Sequence, residues 1–222
     1  MSIKKITLIS TGLSTGALMN QLFVKEFPDI TVRNIVDDSL VKEILANGNV
    51  IPPGVVRRVC SYVVSAEMSR ADLVVITCSS ISVIAGVADS LVGIPVMRID
   101  EPMAELAVEK GNRIKLLATI PSTLNPSVQL IEEKSRQQGK EVILDSSLLE
   151  MARQFLDKGN PEEHDRILRE EIETALRNFD LVILAQASMG RVLDTLDVEK
   201  RKSVLMSPAL AVEAIKKRFF SN

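Results

Sequence analysis

The chain has 222 residues, of which 46% are hydrophobic, 25% charged and 3% aromatic, and its net charge is −2. These are ordinary values for a folded globular protein, and without a Lys/Arg block they argue against a nucleic-acid partner. No apolar run reaches the ~18 residues of a membrane span, and the first ten residues lack the long apolar stretch of a signal peptide. We therefore expect a soluble, cytoplasmic protein with no membrane partner.

Short aliphatic runs alternate with segments of helical spacing along the chain. The first half predicts strands at Ile3–Ile9, Ile30–Val36, Leu73–Ile76 and Ile94–Met97. It predicts helices at Leu18–Phe27, Val55–Arg70 and from about Ile81, and a short helix or turn at Asp38–Asn47. The second half predicts strands at Ile114–Ala118, Glu141–Leu144, Leu181–Leu184 and Val204–Met206, and helices at Met103–Glu109, Ser127–Gln138, Pro161–Asn178 and Leu210–Phe219. Alternating units of this length predict an α/β fold with parallel sheets flanked by helices.

The two halves match each other at a constant difference in residue number, which is 186 − 78 = 108 for Gln186 and Cys78. Four pairs of segments share this offset: Ala71–Ser80 with Phe179–Ser188, Ile6–Thr11 with Ile114–Thr119, Val36–Leu40 with Leu144–Leu148, and Val96-Met97 with Val204-Leu205. Several matches in one register indicate a duplicated unit. We therefore predict two similar lobes related by a pseudo-twofold, with a cleft between them. Residues 1–98 and 207–222 would form the first lobe, and residues 99–206 the second.

Cys78 is the first candidate for chemistry. It lies between the strand Leu73–Ile76 and a helix start, with Ser79 and Ser80 beside it. A helix N-terminus lowers the pKa of a thiol, and its free N–H groups bind carboxylate or phosphate. The other interpretation is a small thiol buried in the core. Position alone leaves both open.

Hydroxyl side chains follow the repeat-related strands of both lobes. Ser10 and Thr11 end the first strand of the first lobe, and Thr119, Ser122 and Thr123 follow the equivalent strand of the second. Together with free N–H groups, hydroxyls at strand ends can hold an anionic ligand. They also serve as turn and capping residues.

Two other reactive residues fit structural roles. Cys60 lies inside the predicted helix Val55–Arg70, where its neighbours Val59 and Val63 indicate core packing. His164 lies in a charged segment, so we predict a solvated helix start and no catalytic role. With one histidine and no Cys/His cluster, the sequence predicts no metal site.

In order and spacing, these motifs resemble the aspartate/glutamate racemase superfamily, which includes hydantoin racemases, maleate isomerases and arylmalonate decarboxylases. The resemblance covers nearly the whole chain and rests on Ser10-Thr11-Gly12, Asp72 through Ser80, Leu117 through Thr123, Asp180 through Met189, and Met206-Ser207-Pro208. It implies two α/β lobes and a racemase that uses one cysteine per lobe, with no PLP, metal or other cofactor. It also implies a small anionic carboxylate as substrate. Members are often dimers or larger assemblies, so the resemblance allows a homo-oligomer and leaves the oligomeric state open.

The resemblance makes Cys78 the first-lobe catalytic cysteine and puts Gln186 where the second-lobe cysteine is expected. It further implies substrate-binding roles for Ser10, Thr11, Ser79, Ser80, Thr119, Ser122, Thr123, Ala187 and Ser188. A glutamine amide is neither acid nor base near neutral pH. We therefore expect a racemase- or isomerase-type reaction on an amino acid or related acid through a Cys78 thiolate. The alternatives are a single-cysteine lyase or decarboxylase, a cis–trans isomerase, and a non-catalytic ligand-binding relative.

Overall fold

A computed structural model describes residues 3–220, which divide into two compact units. One unit takes the residues up to Asp100 together with those from Pro208 onward, and the other takes Glu101–Ser207. Each unit has one four-stranded parallel sheet flanked by helices, so the prediction of an α/β fold with two similar lobes is confirmed. The exact lobe boundaries proposed from sequence stay a prediction.

The first unit has a sheet with strand order β2-β1-β3-β4. Its strands are β1 (Lys5–Ser10), β2 (Thr31–Val36), β3 (Leu73–Ile76) and β4 (Val96–Arg98). The helices between and after them are α1 (Leu13–Glu26), α2 (Ser39–Ala46), α3 (Pro53–Met68), α4 (Ser79–Ser82) and α5 (Ala85–Asp89).

The second unit repeats this order as β6-β5-β7-β8. Its strands are β5 (Arg113–Ala118), β6 (Ile143–Leu148), β7 (Leu181–Leu184) and β8 (Val204–Met206). Its helices are α6 (Glu101–Lys110), α7 (Pro121–Gln138), α8 (Glu150–Asp157), α9 (Pro161–Ala175), a 3-10 helix (Ala187–Thr195) and α10 (Val198–Arg201). The last helix, α11 (Ser207–Phe219), follows β8.

Aliphatic burial explains why these segments are strands and helices. All four residues of β3 and all four of β7 are buried, as expected for interior strands of parallel sheets covered on both faces. In the first unit the core includes Val55, Val59 and Val63, which share one face of α3. Cys60 is 8% exposed and belongs to the same core, as predicted.

His164 departs from its prediction. It is fully buried at the start of α9, and its Nδ1 lies 2.7 Å from Asp165 Oδ1. The prediction of a solvated position was wrong because the charged neighbours of His164 dominate the local sequence. Its own position falls on the inner face of α9, four residues before the buried Leu168.

The strand pairing confirms the repeat for most of the sheet. Ile6 pairs with Leu73 in the first unit and Ile114 with Leu181 in the second, so the second pair is the first one shifted by the repeat offset. The β3–β4 and β7–β8 registers repeat in the same way.

Two aspartates repeat an identical anchor at the start of each sheet. Asp72 Oδ2 accepts the amides of Lys4 and Lys5 at 2.8 and 2.9 Å. Asp180 Oδ2 accepts the amides of the two equivalent residues, Asn112 and Arg113, at the same two distances. The duplication therefore extends to side-chain hydrogen bonds.

The second strand breaks the offset. Ser10 pairs with Val36, but Ala118 pairs with Leu148, so the predicted match of Val36 with Leu144 is wrong by four residues. The cause is helix length, because α1 has 14 residues and α7 has 18, which is about one extra turn. The connection from β6 to β7 is shorter by the same amount, so the repeat offset returns at β7.

Several element boundaries also differ from the sequence prediction. Helix α7 begins at Pro121, before the expected Ser127. It includes Pro126 in its interior, although a proline normally ends or kinks a helix. The helices α8 and α10 and the 3-10 helix were not predicted. Within residues 3–220, no helix is both long enough and apolar enough to cross a membrane.

Candidate active site

Strands β1 and β3 are neighbours and end at the same edge of the first sheet. Ser10 is the last residue of β1, with Thr11 next, and Thr77 and Cys78 directly follow β3. Ligands of open parallel sheets bind beyond this carboxyl edge. The topology therefore brings Ser10, Thr11 and Cys78, which the sequence singled out, to one edge together with Thr77.

A buried hydroxyl pair joins the two strand ends. Ser10 Oγ and Thr77 Oγ1 lie 2.7 Å apart, and Thr77 Oγ1 also lies 3.0 Å from the carbonyl oxygen of Ile9. Because the single Thr77 hydroxyl proton goes to that carbonyl, Ser10 is the donor in the pair. Ser10 is fully buried, and its hydroxyl is engaged by Thr77.

Cys78 is partly exposed, and burial raises the pKa of its thiol. Hydrogen bonds from the Thr11 hydroxyl and from the amide and hydroxyl of Ser80 lower the pKa, and the charge of Asp100 raises it again. The net direction of the Cys78 pKa is upward, which agrees with the buried-thiol interpretation and not with the helix-start one. Helix α4 has only four residues, so it supplies little of the dipole that a longer helix would bring. The thiol is therefore mostly protonated at neutral pH.

A cluster of three polar side chains, Asp100, Arg98 and Ser82, lies at the same edge and is called the Asp100 cluster below. Asp100, which is fully buried, accepts a hydrogen bond from Ser82 Oγ at 2.9 Å and one from Arg98 Nε at 3.1 Å. Ser82 is the last residue of α4, the helix for which Cys78 is the N-cap residue. None of these three residues was predicted from the sequence as a site residue. A comparison with their repeat-related positions, which are Gly190, Met206 and Pro208, would have shown that they are polar in the first copy only.

The second unit has a matching pair at the equivalent edge. Thr119 donates its backbone N–H and its hydroxyl to Gln186 Oε1, at 2.9 and 3.2 Å. In the first unit Thr11, the repeat-related equivalent of Thr119, donates to Cys78. Gln186 therefore has the same hydrogen-bonding neighbour as the cysteine that it replaces in the repeat.

The amide nitrogen of Gln186 has no hydrogen-bond partner among residues 3–220, although the atom is buried. The orientation of the amide follows from its partners, because a flipped amide would point an NH₂ group at the Thr119 N–H donor. Gln186 Nε2 is thus a donor with unused capacity, and a buried donor of this kind needs a partner.

The remaining predicted residues lie in the segments that follow β5, β7 and β3. Thr119, Ser122 and Thr123 are buried, while Ala187 and Ser188 are partly exposed at the opening of the 3-10 helix. Ser79 and Ser80 are buried in α4. Their roles in substrate binding stay predictions. Within the described part of the chain, no three His, Cys, Asp or Glu side chains gather in a way that could hold a metal ion.

The chain is thus an α/β protein of two similar units, each with a parallel sheet. Cys78 and Gln186 follow equivalent strands of the two units. The sequence profile of the Asp/Glu/hydantoin racemase family matches residues 14–215. The chain therefore belongs to the Asp/Glu/hydantoin racemase family. No curated protein matches the sequence.

Three solved structures illustrate the similarity of fold. A glutamate racemase from Francisella tularensis in complex with D-glutamate has a TM-score of 0.67 at 16% identity, covering 99% of this chain and 82% of that chain. An allantoin racemase from Klebsiella pneumoniae has a TM-score of 0.66 at 17% identity, covering 96% and 86%. An aspartate racemase from Picrophilus torridus has a TM-score of 0.65 at 15% identity, covering 96% and 94%.

Proposed function

We propose that this protein is a cofactor-independent isomerase-type enzyme that moves a proton at the carbon beside the carboxylate of a small acid. Cys78 is its acid–base group, and Gln186 is a hydrogen-bond donor to the substrate. One observation carries this proposal. Thr11 bonds Cys78 and Thr119 bonds Gln186 at repeat-related positions, but only the thiol can exchange a proton near neutral pH.

The proposed reaction is a reversible proton transfer. The minor fraction of Cys78 that has lost its proton to water takes the proton from the α-carbon. The electron pair of the broken C–H bond moves into the carboxylate to give an enediolate. Gln186 Nε2 donates to an oxygen on which this negative charge grows. The α-carbon then regains a proton, either from the Cys78 thiol on the same face or from water on the other. In the second case the hydroxide that is left takes the proton from the Cys78 thiol, which restores the thiolate. Inversion needs the second route.

A single-cysteine lyase or decarboxylase is the second candidate. The raised pKa of Cys78 favours it, because a thiol that is protonated at rest is ready to deliver a proton to a carbanion. In that reaction the C–C bond to a leaving carboxylate breaks, carbon dioxide leaves, and the Cys78 proton replaces it on one face. The thiolate then regains a proton from water.

The first substrates to test come from the similar structures. Their names specify aspartate and glutamate, which have a carboxylate beside the α-carbon, and allantoin, which has a ring carbonyl there instead. We would incubate each enantiomer with the enzyme in D₂O and follow the α-proton by NMR and the configuration by chiral chromatography. Cys78→Ala is the negative control. Cys60→Ala is the matched control, because it removes the other thiol of the chain from the core.

The outcomes separate the candidates. Exchange with inversion supports the isomerase, and exchange without inversion means that only the Cys78 face transfers protons. Release of carbon dioxide from a substituted malonate, with formation of one enantiomer of the product, supports the decarboxylase. If no compound exchanges or reacts, but some protect Cys78 from iodoacetamide, the protein is a ligand-binding relative and the enzymatic proposal is wrong.

A further inference from the structure

The Asp100 cluster has the features of a support for Cys78. Asp100 and Ser82 are both fully buried, and the Ser82 hydroxyl lies 2.9 Å from Asp100 Oδ2 and 3.3 Å from the carbonyl of Ser79. Arg98, whose side chain is 13% exposed, pairs with the other carboxylate oxygen of Asp100. The carboxylate and the guanidinium thus form an ion pair beside the end of β4.

This carboxylate connects two elements of the sheet edge. Ile99 extends the pairing of β4 by donating its N–H to the carbonyl of Ile76 at 3.1 Å, so Asp100 is held directly beyond the end of β3. Ser82 ends the helix α4, which starts immediately after Cys78. A helix of four residues is not stable by itself, because nucleation costs more than one turn of hydrogen bonds returns. The bond from Ser82 to Asp100 therefore ties down the short segment that carries the cysteine.

The repeat provides an internal comparison. At the positions equivalent to Ser82, Arg98 and Asp100, the second copy has Gly190, Met206 and Pro208, none of which has a charged or hydroxyl side chain. The equivalent of Cys78 is Gln186, which has no thiol. Ser82, Arg98 and Asp100 thus accompany the ionisable Cys78 in the first copy. Among the described residues, the second copy has no equivalent cluster beside Gln186.

We propose that Asp100 is a positioning residue for Cys78, acting through its hydrogen bond with Ser82 on α4. This inference rests on the proposed function for its meaning in catalysis, but it concerns a contact that can be tested without turnover.

The charge of Asp100 has a definite consequence for the thiol. It opposes ionisation of Cys78 and so, after burial, contributes to the raised pKa. The other charged group of the cluster is Arg98, which binds Asp100 from β4 and partly balances it. Replacing Asp100 with asparagine removes the charge and keeps an oxygen that accepts from Ser82, so the thiolate should form at lower pH.

The test is the pH dependence of Cys78 alkylation by iodoacetamide, with the two cysteines resolved by mass spectrometry and Cys60 as the internal reference. We expect Asp100→Asn to lower the midpoint by about 0.5–1 pH unit, as expected for loss of one nearby like charge. Ser82→Ala keeps the charge, so its midpoint should stay while its rate at high pH rises several-fold because α4 is released. Asp145→Asn, which removes a carboxylate of the second unit, is the matched control and should change neither.

The Ser82→Ala variant should also lower kcat by about tenfold, with KM little changed, if the proposed reaction is correct. An unchanged midpoint in a folded Asp100→Asn protein would overturn the electrostatic part of the inference. An unchanged high-pH rate in Ser82→Ala would overturn the positioning part, and this variant decides the matter if Asp100→Asn does not fold. Absence of turnover in every variant and in the wild type would contradict the proposed function alone, since the alkylation result stands without it.

Discussion

The two units share a strand order, a strand register and a pair of aspartate anchors, but they differ in what surrounds the equivalent of Cys78. In the first unit, Ser10 and Thr77 form a buried hydroxyl pair at the strand ends. The second unit has Ala118 and Ala185 at the same two positions, and both are buried. The same sheet edge therefore forms with either a polar or an apolar pair at these positions.

The next residues show the same difference. Where the first unit has Ser82, the second has Gly190, and a Cβ atom added there would lie 2.7 Å from the terminal carbon of Met206. Met206 itself stands at the position of Arg98. Close apolar packing in one unit replaces an ionic cluster in the other. The fold therefore does not require the polar residues of the first unit, because the second unit forms the same sheet without them. We attribute them to a role connected with Cys78.

The largest expected effect comes from the side chain that distinguishes the two units. Cys78→Ala should lower the rate of α-proton exchange by about 10²–10⁴-fold, the usual contribution of a general acid–base group. Cys78→Ser should be almost as slow, because its hydroxyl ionises far above the pKa of a thiol. The measurement is deuterium incorporation by NMR on whichever substrate the wild type accepts.

Cys60→Ala is the control for this prediction. Its thiol lies in the core of the first unit, and burial raises its pKa, so the substitution should cost some stability and leave the exchange rate unchanged. A Cys78→Ala protein that still exchanges at the wild-type rate would show that the difference between the two units has nothing to do with proton transfer.

A smaller effect is expected at Gln186. Gln186→Glu keeps an oxygen for the Thr119 N–H and hydroxyl but replaces the unpartnered Nε2 donor with a second oxygen. Loss of the donor and repulsion of an anionic substrate should raise KM by about 10–100-fold. Gln138→Glu, a change of the same kind on the exposed surface of α7, should leave KM alone. Equal KM values for the two variants would remove Gln186 from the binding site.

The Ser10–Thr77 pair makes a prediction about stability. Thr77→Val leaves the buried Ser10 hydroxyl without its partner and should cost about 1–3 kcal/mol in the free energy of unfolding. Adding Ser10→Ala removes the orphaned hydroxyl, so the double variant should lose less than the sum of the single losses, as the alanine pair of the second unit suggests. Urea unfolding of the wild type, Thr77→Val, Ser10→Ala and the double variant gives the coupling energy between the two hydroxyls. Additive losses would mean that the two hydroxyls do not depend on each other.

Much of the fold could be predicted from the sequence because it depends on local pattern. Continuous aliphatic runs predicted β3 and β7. The repeat offset alone predicted that Cys78 and Gln186 are equivalent positions. The same offset failed at β6, because composition does not reveal that α7 is one turn longer than α1.

The properties of the candidate site were harder to predict because they depend on burial and on contacts between distant segments. The contact between Ser82 and Asp100 joins residues that are 18 positions apart and has no local signature. The sequence left the direction of the Cys78 pKa open between a helix start and burial. Desolvation and the charge of Asp100 outweigh the hydrogen bonds from Thr11 and Ser80, so the pKa is raised. The burial of His164 was missed for a related reason, because charged neighbours hid its place on the inner face of α9.

The smallest expected effect concerns the anchor that the two units share. Two backbone hydrogen bonds lower the pKa of Asp180, so its carboxylate stabilises the folded protein above the unfolded pKa, and this contribution is lost as the pH falls below about 4. Asp180→Ala should cost about 1 kcal/mol at pH 7, since the group is exposed. Asp180→Asn keeps the acceptor and loses the charge, so its stability should vary less with pH than that of the wild type in the acid range. Asp72→Ala, which removes bonds of the same lengths from the first unit, should cost a similar amount at pH 7. A large loss in one unit and none in the other, measured by urea unfolding, would show that the repeated geometry hides an unequal dependence of the two sheets on this anchor.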